Sequence, residues 1–207
     1  MWVPQPILST SVWNESTVIV ALVTTIGAVI VALIQKFKRF PELKRMRKWK
    51  VGYTDIHETY ENLGDIVAAT DAQRAIIVKI ENGGGIPKAG HPLYLSVLYE
   101  IVQGGTRPNR EDWVKREIME PHYFKFLSTL LQDQAHTLIT SEMPEDCLLR
   151  TAYEGYGVHH AETFLLRQSK HATYVLSVHY GSEEQLEADE KTILGAKASN
   201  IRNIFRK

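Results

Sequence analysis

The sequence predicts an α+β protein: one transmembrane helix followed by an antiparallel sheet flanked by N- and C-terminal helices. Three observations carry this. Ser16 to Gln35 (STVIVALVTTIGAVIVALIQ) contains no charged residue. Further on, runs rich in branched and aromatic residues come in pairs joined by turn-rich segments, as hairpins require. Apolar residues recur at helical spacing before the first of these runs and after the last.

The uncharged run is the right length to span a membrane. At 1.5 Å rise per residue, roughly 20 residues make a helix of about 30 Å, the thickness of a bilayer's hydrocarbon core. Eleven of its side chains are Val, Ile or Leu, each favouring insertion by roughly 0.3–0.6 kcal/mol. A buried core helix of this length would show a polar stripe, and here only Thr24, Thr25 and Gly27 interrupt the apolar surface. Eight basic residues follow, Lys36, Lys38, Arg39, Lys44, Arg45, Arg47, Lys48 and Lys50, against one acid, Glu42. Nothing before Gln35 is basic, so the rule that positive flanks stay inside puts the N-terminus outside and the C-terminal domain in the cytoplasm. A positive n-region and a small-residue cleavage site are both missing, which predicts an uncleaved signal anchor.

Phe37, Phe40 and Trp49 interleave the basic run and make it a stem that contacts the bilayer surface, each Lys or Arg near an anionic leaflet contributing about 1 kcal/mol. Thr24, Ala28 and Ala32 recur every four residues; close approach of two spans and ordinary span composition both explain them. The expected organisation is a non-cytoplasmic tail at 1–15, the span at 16–35, the stem at 36–52 and one domain at 53–207. The formal net charge of the 207 residues is zero, so no nucleic-acid partner is expected. The single cysteine, Cys147, excludes an intrachain disulfide framework and fits a reducing compartment.

Within the domain, Ile56, Tyr60, Leu63 and Ile66 or Val67 share one helical face and predict a helix over 54–69. RAIIVKI at 74–80 and LYLSVLYEIV at 93–102 read as two strands of a hairpin around the glycine-rich segment 81–90. Residues 104–110 form a loop, and 111–133 a helix broken near Pro121. HTLITSE at 136–142 is a short strand, and 144–157 is part helix and part loop. VHHAETFLLR at 158–167 and ATYVLSVHY at 172–180 form a second hairpin turning at Ser169-Lys170. The last helix is expected from Ser182, as N-cap, to about Phe205.

The helix leading into RAIIVKIENGG, the strand LYLSVLYEIV with Ser96 and Glu100, GYGVHHAETFLL, and TYVLSVHYGSEEQLEADEKTILGAKASNI together resemble a GAF domain over the last 150 residues or so. The resemblance lies in the arrangement of elements. It implies a PAS-like α+β fold and a role in sensing small molecules, cyclic nucleotides or bilins, or in dimerisation. It identifies no ligand class and no cofactor. GAF domains usually pass their signal to an attached output domain, whereas this sequence stops just past the last helix.

Chemistry is sparse in the rest. GGGIPKAG at 83–90 lacks a Gly-Lys-Ser/Thr ending and joins two strands, so it is no phosphate cradle. Glu145 and Asp146 beside Cys147 disfavour a thiolate and hence a nucleophile or chromophore attachment. His160 and His179 should face each other across the second hairpin if it turns at Ser169-Lys170, with Glu162 on the same face; a structural pair outweighs a metal or pH-sensing one. Glu111, Asp112, Glu117 and Glu120 read as the solvated face of a helix. No enzymatic motif appears.

Two functions are consistent with these features. In the first, the domain is a non-catalytic binding or sensory module whose ligand is lined by Tyr94, Val97, Tyr99, Phe124, Leu127, Tyr153 and Tyr156. In the second, it is an assembly subunit or tether that holds a protein partner at the membrane. Both readings include a homo-oligomer, and each of the seven side chains has a core role as its alternative.

Overall fold

The computed structural model describes residues 41–81, 93–114, 116–118, 121–184 and 186–206. The span expected at 16–35, Lys36, Lys38, Arg39, the glycine-rich connection after Glu81, and Glu120 lie outside them. Lys44, Arg45, Arg47, Lys48 and Lys50 fall in the first described helix, where the backbone alone is described. Among the described residues no helix is long and apolar enough to cross a membrane. Contacts divide the chain into two units, Met1–Gly52 and Tyr53–Lys207, and the second carries the sheet.

The elements in order are α1 (Pro41–Ala69), β1 (Arg74–Glu81), β2 (Leu93–Val102), a 3-10 turn (Arg110–Trp113) and β3 (Arg116–Ile118). They continue with α2 (Pro121–Asp133), β4 (Ala135–Ile139), a 3-10 turn (Thr140–Glu142), α3 (Leu148–Gly155), β5 (His160–Gln168), β6 (Ala172–Tyr180) and α4 (Ala188–Arg206). The strands form one six-stranded sheet in the order β3-β2-β1-β6-β5-β4, antiparallel throughout. Both predicted hairpins form.

β1 and β6 lie in the middle, and both faces are covered. This is why their sequences are nearly continuously apolar rather than alternating. On one face, Ala75 and Ile77 of β1 and Leu176, Val178 and Tyr180 of β6 pack against Leu63 and Ile66 of α1 and Leu194, Ala198 and Ile201 of α4. On the other face, Ile76, Val78 and Ile80 of β1, with Leu93, Leu95 and Val97 of β2, pack against Tyr123, Leu127 and Leu130 of α2. The terminal helices occupy one face as expected, and the 121–155 insertion forms a third layer over the other.

Two segments differ from the sequence expectation. Residues 111–114 and 116–118 form no α-helix. They make the end of a 3-10 turn and the edge strand β3, because Arg116–Ile118 find hydrogen-bonding partners on Leu93–Leu95, and sheet pairing overrides a weak helical pattern. The last helix starts at Ala188, not just after Ser182. Its N-terminus is closed by the Glu190 carboxylate, which reaches back to accept the Glu187 N–H at 2.8 Å, the reciprocal half of a capping box.

Two register shifts decide which residues face which layer. In the β1–β2 ladder Ile77 pairs with Tyr99 but Val78 with Val97, leaving Leu98 as an extra residue. Before this bulge the odd-numbered side chains of β2 face the insertion. After it Tyr99 and Ile101 turn to the terminal helices and Glu100 turns to the insertion. The second hairpin turns at Lys170-His171 and not at Ser169-Lys170, the Ser169 N–H donating to the Ala172 carbonyl at 2.9 Å. A shift between Leu165 and Arg167 in the β5–β6 ladder then sets His160 opposite Tyr180 and Ala161 opposite His179. The facing of His160 and His179 expected from the sequence is therefore corrected: they are one position out of register and lie on opposite faces. His160 stacks on Tyr180 with ring centroids 5.0 Å apart and shares a 3.1 Å contact with Glu162, while His179 sits under the insertion.

Candidate functional site

The insertion does not close completely onto the sheet. Between them lies a chamber of about 60 Å³. Ile76, Val78, Leu95, Val97, Thr163 and Val175 form its sheet side, and Tyr123, Phe126, Leu149, Ala152 and Tyr153 its helical side. At one end the lining becomes polar, with Arg74, Asn109, Ser177 and His179.

α3 is held in position over this end by its own C-terminus. Gly157 has φ +65°, the left-handed conformation that glycine adopts without penalty. The Val158 N–H donates to the Tyr153 carbonyl at 2.8 Å and the Gly157 N–H to the Glu154 carbonyl at 3.1 Å. This is the paired bonding of a Schellman motif, completed by apolar contact between Val158 and Tyr153. The turn fixes Tyr153 and Tyr156, one helical turn apart, against the chamber.

Arg74 is 1% exposed. Its Nε lies 3.2 Å from Glu100 Oε1, and its Nη2 donates to the Arg107 carbonyl. Glu100 in turn accepts the N–H groups of Asn109 and Arg110, each at 2.9 Å. Burial pulls the Arg74 pKa below its ordinary value and Glu100 opposes this. His179, the cross-strand partner of Arg74, stays neutral, because burial and then Arg74 push its pKa down to about 3. Its Nε2 shares a 2.9 Å hydrogen bond with Ser177 Oγ, and its ring packs 5.1 Å from that of Tyr153. Burial raises the Tyr153 hydroxyl to about 12, against the hydrogen bond to Ser177. Three polar atoms of this end, Arg74 Nε, Asn109 Oδ1 and His179 Nδ1, are buried with no hydrogen-bond partner, the 3.2 Å approach of Arg74 Nε to Glu100 being an ion pair without a hydrogen bond.

A vestibule of about 350 Å³ adjoins the chamber. Trp113, Tyr123, Leu149, Ala152 and Tyr156 line both spaces and so form the wall between them. Arg74 lies 5.2 Å from the Tyr156 ring centroid and Arg107 5.9 Å from it. The Tyr156 hydroxyl donates to Asp112 Oδ2, which also accepts from Arg107 at 3.0 Å. Burial and then Asp112 raise the Tyr156 pKa.

Of the seven side chains expected to line a ligand, Val97, Tyr153 and Tyr156 are brought together here. Leu127 is buried in the core between α2 and the sheet and does not reach the chamber. Tyr99 is corrected: turned over by the Leu98 bulge, it meets Tyr60 and Phe205 edge-on at 5.4 and 6.4 Å. Phe124 is 44% exposed on the outer side of α2, and alternation places Tyr94 on the face opposite Leu93 and Leu95. Cys147 is buried just ahead of α3 and does not line the chamber.

Sequence reasoning missed the polar end. Arg74 opens a central strand that is then apolar as far as Val78, Glu100 interrupts a second, and Ser177 and His179 interrupt a third. Polar residues within buried strands require partners, and that is the signal the sequence carries. Among the described residues no cluster of three or more metal-ligating side chains occurs.

No family model matches the chain, and no curated protein matches it in sequence. Solved structures do match in shape. A far-red cyanobacteriochrome photoreceptor is similar over 80% of this chain and 97% of its own, with TM-score 0.55 and 12% identity. The cyanobacteriochrome receptor PixJ is similar over 74% and 96%, with TM-score 0.52 and 12% identity. The GAF domain of a two-component sensor histidine kinase from Bacillus halodurans is similar over 72% and 91%, with TM-score 0.50 and 12% identity. The domain has the GAF fold: a six-stranded antiparallel sheet with N- and C-terminal helices on one face.

Proposed function

We propose that the domain is a small-molecule-binding sensory module, non-catalytic, held at the inner face of a membrane by the apolar run 16–35. The observation that carries this reading is the polar end of the chamber, where Asn109 Oδ1 and His179 Nδ1 are buried without partners. Leaving such atoms unpaired costs about 1–3 kcal/mol each, which a bound molecule recovers. The GAF fold supports it by analogy, since the similar structures include a photoreceptor and a sensor-kinase domain. A tetrapyrrole does not suit the chamber, whose 60 Å³ is well below the roughly 300–1,000 Å³ of sites for drug-sized ligands.

The test is thermal unfolding of the full chain in the presence of small neutral and charged fragments, beside an Ala152→Leu variant that narrows the chamber. Stabilisation of the parent and its loss in the variant support the reading; equal response of both, or of neither, contradicts it. Membrane attachment is tested separately. The full chain should resist alkaline carbonate extraction, and a chain lacking 1–35 should be released by it.

A second reading, a tether for a protein partner, draws on a different observation. Val114 and Leu148 are each 65% exposed, and Leu148 lines the vestibule beside Trp113, the neighbour of Val114. Exposed apolar side chains grouped at one rim suit a protein contact. Homo-oligomerisation, expected from the two terminal helices, fits either reading; sedimentation showing monomer alone at high concentration would count against it.

A further inference from the structure

The chamber is charge-balanced, and this restricts what can occupy it. Its one cation, Arg74, is already matched by Glu100 at 3.2 Å. The carboxylate is also engaged by the N–H groups of Asn109 and Arg110. Every other described side chain on the lining is uncharged, His179 included. An anion entering beside Arg74 would meet Glu100 behind it, and a cation would meet Arg74 with no free carboxylate. Either would surrender its hydration without a counter-charge, the least favourable way to bury an ion.

Size and polarity narrow the class further. A space of about 60 Å³ admits a few non-hydrogen atoms, given that an engineered apolar cavity of roughly 150 Å³ holds benzene. At the polar end, Asn109 Oδ1 is an acceptor without a donor and Arg74 Nε a donor without a hydrogen-bond acceptor, a pair that an amide or a hydroxyl can answer. Most of the rest of the lining, including Val97 and Val175, is apolar, Thr163 excepted. We infer, resting on the small-molecule reading above, that the chamber selects small uncharged molecules with an N–H or O–H donor at one end and an apolar group at the other, such as short amides or alcohols.

The test uses three probes of one shape, acetamide, acetate and acetamidinium, with the full chain, by saturation-transfer NMR and competition. Acetamide should bind, and each charged probe should bind about tenfold or more weakly than it. Asn109→Ala should weaken acetamide by about tenfold through loss of the acceptor. Glu100→Gln leaves Arg74 unmatched and should reverse the order, with acetate ahead; if that variant fails to fold, the ranking on the parent and the Asn109→Ala result still decide. Either charged probe binding as well as acetamide would overturn the inference while leaving small-molecule binding intact. Failure of all three probes, with larger fragments still stabilising the parent, would overturn the size and class alone. Failure of probes and fragments together would remove the binding reading as well.

Discussion

Arg74 and Glu100 form a buried ion pair, Nε to Oε1 3.2 Å, between the first residue of β1 and the third-last of β2. They meet because Leu98 is an extra residue in its ladder. Without that bulge Glu100 would point to the terminal helices, and Arg74 would be buried alone. The carboxylate also fastens the loop leading into the 3-10 turn, through the N–H groups of Asn109 and Arg110.

Glu100→Ala is therefore expected to destabilise the domain by roughly 3–5 kcal/mol, the usual cost of stranding a buried charge. The double replacement Arg74→Met with Glu100→Leu should lose less, since no charge remains, although two amides still lack an acceptor. Chemical unfolding followed by tryptophan fluorescence compares the two. A double variant weaker than the single would contradict the account.

His179 makes stability depend on pH. Its folded pKa of about 3 lies below the ordinary 6.5, so between these values the unfolded chain binds the proton and the folded one does not. The contribution is present above pH 6.5 and lost as pH falls towards 3, roughly 3 kcal/mol being gone by pH 4 at about 1.4 kcal/mol per unit. A His179→Gln variant should show a flatter stability profile over this window than the parent. Parallel profiles would place the acid sensitivity elsewhere.

Tyr156 separates chamber from vestibule. Tyr156→Ala should join the two spaces and admit fragments too large for the parent chamber, with faster exchange of small ones. Tyr156→Phe loses the Asp112 hydrogen bond alone and should keep the parent's size limit. Fragment binding to both variants checks this, and an unchanged size limit in Tyr156→Ala would show that the wall lies elsewhere.

The Schellman turn predicts a backbone effect. Gly157→Ala places a Cβ on a residue with φ +65° in otherwise open space, so the cost is conformational, about 1 kcal/mol. The same change at Gly155, in helical conformation with open space around it, should be neutral or stabilising. Thermal unfolding of the two variants distinguishes them.

Much of this fold is legible in residue patterns. β1, β2, β5 and β6 stand out as branched and aromatic runs, and α1 and α4 as periodic ones, because burial on defined faces dictates composition. The bulges leave no such mark. Leu98 and Leu166 look like ordinary strand residues, yet each inverts the facing of the residues beyond it. Simple alternation therefore points Tyr99 towards the ligand and, with a turn placed one residue early at Ser169-Lys170, sets His160 opposite His179, and both are wrong. The segment 111–118 misleads for another reason: its charges suit a solvated helix, but Asp112 is held by Arg107 and Tyr156 and Arg116–Ile118 by β2. The apolar part of the site, Val97 with Tyr153 and Tyr156, is legible in local pattern. The polar part, Arg74, Asn109, Ser177 and His179, comes from separate stretches that only the tertiary fold brings together.

Chemical-shift mapping of the full chain during titration with small fragments tests the central claim most directly. Binding compounds should shift the backbone amides of Val97, Asn109, Ser177 and His179 together, with saturation. Shifts confined to Val114, Phe124 and Leu148, with those four amides unmoved by any fragment, would contradict a chamber that binds small molecules and favour a surface that binds protein.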